Sequence, residues 1–195
     1  HILVSIGVEG NSNGFGLKSI GVDLGENQHI KVNQNGQTNI DNIYAVGDVT
    51  GPPWLAHVSS SEGLYVVEYI ANLNPKKIDY DCIPACIYSK PEIGSIGFDQ
   101  KALDDKGINY KIAKSFFNAN GRAVASSSTD GFIKILVSDD NLILGAHIIG
   151  SNATEMISEF SLAMNNQLTV ENILGSVHPH PTFSEAIFET LMQLK

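Results

Sequence analysis

The sequence of 195 residues has only two cysteines, Cys82 and Cys86, and they cannot staple it. Pro84 between them disfavours a helix, and in an extended segment four residues at about 3.3 Å each separate the α-carbons by roughly 13 Å, beyond disulfide reach. Both read as core thiols in a reducing compartment, so the Asn152-Ala153-Thr154 sequon reads as an accident. No apolar run approaches the roughly 20 residues of a membrane-spanning helix. Basic residues are scarce: 12 Lys+Arg against 21 Asp+Glu give a formal net charge of −9 with no basic cluster. That balance argues against nucleic acid or an anionic membrane as partner and leaves a small molecule or another protein. There is no Walker-type loop and no Gly-x-Ser-x-Gly elbow, so phosphoryl transfer and serine hydrolysis have no support. Gly14-Phe15-Gly16 is a false start on a dinucleotide fingerprint, because Ser19 stands where the third glycine belongs. The sequence also begins without Met or a signal-peptide pattern. Ile2-Leu3-Val4-Ser5-Ile6-Gly7 reads as a buried strand with nothing upstream to pair with, which suggests residues cut from a longer polypeptide.

The residues that are present divide in two. The first 75 or so alternate short strand signals, at 2–6, 29–32 and 43–46, with Gly/Asn turns, and then enter a helix over 58–73. Ile43-Tyr44-Ala45-Val46-Gly47-Asp48 delivers a carboxylate at the end of an apolar strand, the edge where open α/β sheets bind ligands. The N-terminus of the helix that follows offers N–H groups and partial positive charge to the same place. Asn72 to Lys77 reads as a linker, since Pro75 blocks the helix. From about 82 the pattern is α+β, with strands near 84–88, 93–98, 110–117, 131–137 and 142–149. Helices are expected at 99–106 between Asp99 and Gly107, at 153–166, at 170–176 behind Thr169, and after the histidine motif.

That motif is His178-Pro179-His180-Pro181-Thr182-Phe183-Ser184-Glu185. Each proline fixes its own φ and pushes the preceding residue out of the helical region, so both histidines should sit on extended backbone with their rings presented. Two readings of Glu185 stand side by side. As half of a Thr-x-x-Glu capping box it starts a helix with Phe183, Ile187 and Phe188 on its apolar face. As an acid-base partner it accepts from an imidazole Nδ1–H, fixes the tautomer that leaves Nε2 as base, and stabilises the imidazolium. One side chain should not fill both roles fully. The His-x-His pair lacks a third metal ligand nearby, so no metal site is expected.

Several stretches, in order, resemble the pyridine nucleotide-disulfide oxidoreductases. They are Ile2 to Gly7, Ile43 to Val49, Leu55-Ala56-His57 with Glu62-Gly63, Tyr88 to Gly97, Phe117 to Ala123, Thr129 to Phe132, and His178 to Glu185. Within the family the pattern is similar to the dihydrolipoamide dehydrogenase branch. Ser89-Lys90-Pro91-Glu92 and the first histidine of the pair set it apart from glutathione reductases. The resemblance implies a partial FAD-binding α/β segment over 1–75, the end of the nucleotide-binding region, followed by a dimerisation domain of antiparallel sheet plus helices over 76–195.

For the site, the resemblance implies that Asp48 bonds the ribityl chain of FAD, that Trp54, Leu55, Ala56 and His57 wrap the flavin, and that Gly7 lies close to NAD. It implies His180 as the base and Glu185 as the carboxylate orienting it. The base would take a proton from dihydrolipoamide, carried on lipoyl groups of a 2-oxo acid dehydrogenase complex. In the family the histidine reaches the disulfide of the opposite subunit, so a homodimer is expected, in bacterial cytosol or mitochondrial matrix. The sequence also departs from the pattern. It has no N-terminal FAD fingerprint and no cysteine pair with four residues between, so alone it should not catalyse. Another disulfide reductase of the family, such as a glutathione reductase, or a dimerisation module without catalysis stays open.

Overall fold

A computed structural model describes residues 1–195, which form two compact units, His1–Ile78 and Asp79–Lys195.

The first unit has little regular structure outside one helix. Ile2 to Ile6 form no strand, and Ile2, Leu3 and Ile6 are 92–93% exposed. A strand is held by a partner along at least one edge and by apolar cover on a face, and no other part of this unit supplies either. The segments expected as strands at 29–32 and 43–46 are reduced to single bridges, Leu24 with Ile30 and Gln37 with Tyr44. Local side-chain bonds hold the turns between them: Asn33 Oδ1 accepts from the N–H groups of Asn35 and Gln37 at 2.8 and 3.2 Å. This is the asparagine turn chemistry that competes with ladders. Helix α1 (Ala56–Ile70) begins two residues before the expected start and ends three before the expected end. Beyond it Asn72 and Asn74 both take left-handed conformations ahead of Pro75. α1 buries Val58 and Val66.

The second unit is α+β. Its five strands, β1 (Ala85–Ile87), β2 (Ile93–Gly97), β3 (Lys111–Phe116), β4 (Phe132–Val137) and β5 (Ile143–Ile149), make one antiparallel sheet in the order β1-β2-β5-β4-β3. β4 and β5 are joined through 138–142, where Ser138 Oγ accepts from Leu142 N–H at 3.1 Å and Asn141 is left-handed. Alternation then fixes two faces. Ile96, Ala146 and Ile135 share one register row, and Gly94, Ile148 and Ile133 the next. Against this apolar face pack α4 (Ala153–Asn165), over β2 and β5, and α6 (Glu185–Leu191), over β3 and β4. Met156, Ile157 and Phe160 of α4 and Ile187 and Leu191 of α6 close the core. Gly94 is where α4 comes closest: an added Cβ would lie 2.5 Å from the Ala153 carbonyl oxygen, so a side chain there would push the helix off the sheet.

The short helices follow their caps. α2 (Gln100–Lys106) opens with Asp99 accepting from Ala102 N–H at 2.7 Å and closes on left-handed Gly107. α5 (Val170–Leu174) carries a capping box between Thr169 and Asn172. One helix was not expected: α3 (Gly121–Ala125), entered from a 3-10 turn at Phe117–Ala119 and capped by Asn120. Five residues opening on glycine carry no periodic signal. No helix is long and apolar enough to cross a membrane. Cys82 is buried, Cys86 half-buried, and no disulfide joins them.

Candidate active site around His180

The strap from Ser176 to Ser184 connects α5 to α6, and its two histidines have opposite fates. His178 is not presented as its extended backbone suggested. Its side chain is 8% exposed, with Nε2 2.9 Å from Glu159 Oε1 on α4 and Nδ1 3.2 Å from the Ser176 carbonyl. The ring also lies near Phe188 of α6, with centroids 6.0 Å apart. The proline rule constrains backbone only, and a carboxylate on α4 decides where this ring goes.

His180 is the one presented, 78% exposed at its side chain, with Nδ1 2.8 Å from Glu185 Oε1. Glu185 does what one side chain was not expected to do, because it divides its oxygens. Oε1 meets the imidazole while Oε2 accepts the Thr182 N–H at 2.8 Å. The capping box is thus half present. The Thr182 hydroxyl does not cap α6 but donates to the Pro179 carbonyl at 2.7 Å and lies 2.9 Å from Ser184 Oγ. First the Thr182 N–H and then the His180 bond hold the Glu185 carboxyl below its ordinary value, so it stays ionised beside the imidazole. One turn further along α6, burial first and the Glu185 charge second push Glu189 up. A fixed anion on Nδ1 selects the tautomer in which Nε2 is the acceptor and stabilises the ring once it takes a proton. This arrangement can act as a general base toward a group presented from outside the unit.

Two residues of this site carry no role in the sequence reading. Glu159 sits 19 residues before the histidine it binds. Asn120, 1% exposed, donates from Nδ2 to the Thr182 carbonyl at 3.1 Å across 62 residues. In the sequence Asn120 belongs only to the Phe117 to Ala123 stretch that carries the family resemblance. No group of three or more His, Cys, Asp or Glu side chains is placed to hold a metal ion.

The residues expected at a flavin lie in the first unit. Gly47–Thr50 forms a 3-10 turn rather than a strand end, with Asp48 exposed on it. Glu62 of α1 fixes that turn by accepting the Gly47 N–H at 2.7 Å, and Gly47, at φ +78°, approaches α1 so closely that a Cβ would lie 2.8 Å from Ser59 Oγ. Leu55 is the N-cap of α1 with no side-chain cap bond, Ala56 and His57 open its first turn, and Trp54 is exposed. An exposed carboxylate and a helix start uncapped by a side chain suit a hydroxyl-bearing chain and an electron-rich edge. Gly7 ends no strand. It has φ +121° and open space where a Cβ would stand.

Comparison with known proteins identifies the family. Residues 83–191 match the model of the pyridine nucleotide-disulphide oxidoreductase dimerisation domain, and residues 1–63 that of the pyridine nucleotide-disulphide oxidoreductases. The chain is 42% identical over 190 residues to a dihydrolipoyl dehydrogenase of Geobacillus stearothermophilus, covering 97% of this chain and 40% of that protein. It is likewise 42% identical over 189 residues to the human mitochondrial dihydrolipoyl dehydrogenase, covering 96% of this chain and 37% of that one. It therefore spans about two fifths of the length of these relatives. Among solved structures, LpdA of Mycobacterium tuberculosis superposes with a TM-score of 0.94 at 27% identity, over 100% of this chain and 43% of LpdA. With its dimerisation-domain model matched over more than half its length, the chain belongs to the pyridine nucleotide-disulphide oxidoreductases.

Proposed function

We propose that the protein serves as a dihydrolipoamide-oxidising flavoenzyme that uses FAD and NAD, with His180 as its general base. The observation that carries this reading is the His180–Glu185 dyad: an exposed ring held through Nδ1 by an ionised carboxylate, which leaves Nε2 as the acceptor. A dithiol needs a base to become a nucleophile, and an imidazole oriented through Nδ1 by a carboxylate can accept its proton at Nε2. His180 takes the thiol proton at Nε2, and Glu185 stabilises the charge that develops on the ring. Bound flavin supplies two-electron exchange between sulfur and the pyridine nucleotide.

Asp48 and the Trp54-Leu55-Ala56-His57 segment are the residues assigned to FAD, and Gly7 to the neighbourhood of NAD. The carboxylate of Asp48 would accept from ribityl hydroxyls, and the start of α1 would favour negative charge at the flavin edge. The partner disulfide comes from a second subunit of a homodimer, and the dithiol from lipoyl groups of a 2-oxo acid dehydrogenase complex. The match to a dimerisation domain supports the dimer, as do the exposed Ile87, Tyr88, Phe116 and Leu162 of the second unit. The test is His180→Gln in the protein expressed from its complete reading frame. Dihydrolipoamide oxidation should fall roughly 10²–10⁴-fold at unchanged FAD content. Turnover close to that of the unaltered protein would remove His180 from the chemistry.

A further inference from the structure

We propose that Asn120 is a positioning residue for the His180–Glu185 dyad, acting through the backbone of Thr182. This rests on the functional reading above for its purpose, but its physical content is independent of it. Asn120 lies fully inside the second unit, and both ends of its amide are committed. Oδ1 accepts the Ala123 N–H at 2.9 Å and caps α3, which forces Nδ2 to be the end that donates to the Thr182 carbonyl at 3.1 Å. Thr182 is therefore gripped at both of its backbone groups, its C=O by Asn120 and its N–H by Glu185 Oε2. Its hydroxyl ties the same residue back to the Pro179 carbonyl.

The consequence concerns how Glu185 divides its oxygens. A carboxylate on the first residue of a helix has side-chain freedom, and either oxygen could turn to either donor. Because Asn120 anchors Thr182 through its carbonyl while the hydroxyl ties the same residue to Pro179, the Thr182 N–H is held in place, Oε2 has a stationary donor, and Oε1 is left for His180 Nδ1. An exposed imidazole is thereby registered against the buried core by a chain of three bonds: Asn120 to Thr182, Thr182 to Glu185, Glu185 to His180. Without the first, the strap's polar tie to the core at Thr182 is gone, although both dyad side chains remain present.

The test separates the two functions of the Asn120 amide. Asn120→Ser keeps a good helix cap for α3, but its hydroxyl is too short to reach the Thr182 carbonyl. Asn120→Asp keeps size and the cap acceptor while its ionised form cannot donate, so it gives the reading should the serine variant not fold. In the isotope-labelled chain, the Thr182 amide proton should move upfield, and the His180 Nδ1 nitrogen signal should lose its single-tautomer position and move toward that of Glu185→Gln. In the protein from the complete reading frame, kcat for dihydrolipoamide should fall about two- to tenfold with KM held, the rate equivalent of one hydrogen bond. A residue that only caps α3 would leave both signals in place in a folded variant, and that result overturns the proposal. Signals that move while His180→Gln retains turnover would sink the catalytic reading and leave the positioning role standing.

Discussion

The two units make opposite use of their apolar residues. In the second, the side chains of β2, β4 and β5 on one face meet α4 and α6, and Ile133, Ile135, Ile148, Ile157, Phe160 and Ile187 are all but completely buried. In the first, the buried apolar side chains are Val22, Ile30, Val58 and Val66, while Ile2, Leu3, Ile6, Leu64, Val67 and Leu73 face outward. The difference is one of closure rather than hydrophobicity. An antiparallel sheet whose strands lie within about 65 residues of one another can satisfy its interior backbone groups and cover a face with its own helices. A set of single bridges can do neither. The dyad accordingly sits on the self-supporting unit, where a displacement of the strap would have to disturb a packed core.

The strongest way to break this comparison is Phe160→Ala. Phe160 is fully buried between α4 and the sheet, so its loss should destabilise the second unit by about 3–5 kcal/mol. Trp54, the single tryptophan, belongs to the first unit and serves as its reporter. Denaturant unfolding followed by far-ultraviolet circular dichroism should shift strongly, while the Trp54 fluorescence transition stays in place. If the two transitions move together, the units do not fold independently.

A smaller effect comes from His147 on the opposite sheet face, where Ser95 and Lys134 are its register neighbours. Burial is the main force lowering its affinity for a proton. The Phe98 carbonyl, 3.1 Å from Nε2, opposes this, Lys134 adds to it, and Asp99 opposes it weakly. The folded state thus favours the neutral ring. Its contribution to stability is fully present above the ordinary imidazole value of about 6.5 and is lost as pH falls below that toward the folded value, because the unfolded chain binds the proton first. Unfolding midpoints of the second unit should therefore drop between neutral and mildly acidic pH. His147→Gln should flatten that slope, and an unchanged slope would place the acid sensitivity elsewhere.

How much of this was legible in the sequence follows the same division. The second unit's five strands and its α2, α4, α5 and α6 were readable because alternation, Asp99, Gly107 and Thr169 are local signals that the tertiary structure leaves intact. In the first unit, Ile2 to Ile6 and 43–46 have strand composition without strand neighbours, and composition cannot report what lies alongside. At the site, His180 and Glu185 are five residues apart and visible. Glu159 and Asn120 reach the strap from 19 and 62 residues away, and no spacing rule links them to it. The burial of His178 followed from that same unseen carboxylate.

The finest test lies within α1, between neighbouring valines. Val66 is 7% exposed and packs so tightly on the Gly36 backbone that a Cβ on that glycine would fall 2.6 Å from Val66 Cγ2, whereas Val67, 66% exposed, faces away. One residue of helix turns the side chain by about 100°, enough to carry it from the small core to the surface. Serine and valine differ little in helix propensity, so Val67→Ser should change the first unit's stability by no more than about 0.5 kcal/mol in the Trp54 transition. Val66→Ser removes packed methyls and buries a hydroxyl, so its effect should be clearly larger. Equal effects at the two positions would mean that the outward face of α1 is covered in solution, and the first unit would then close its core by association instead of alone.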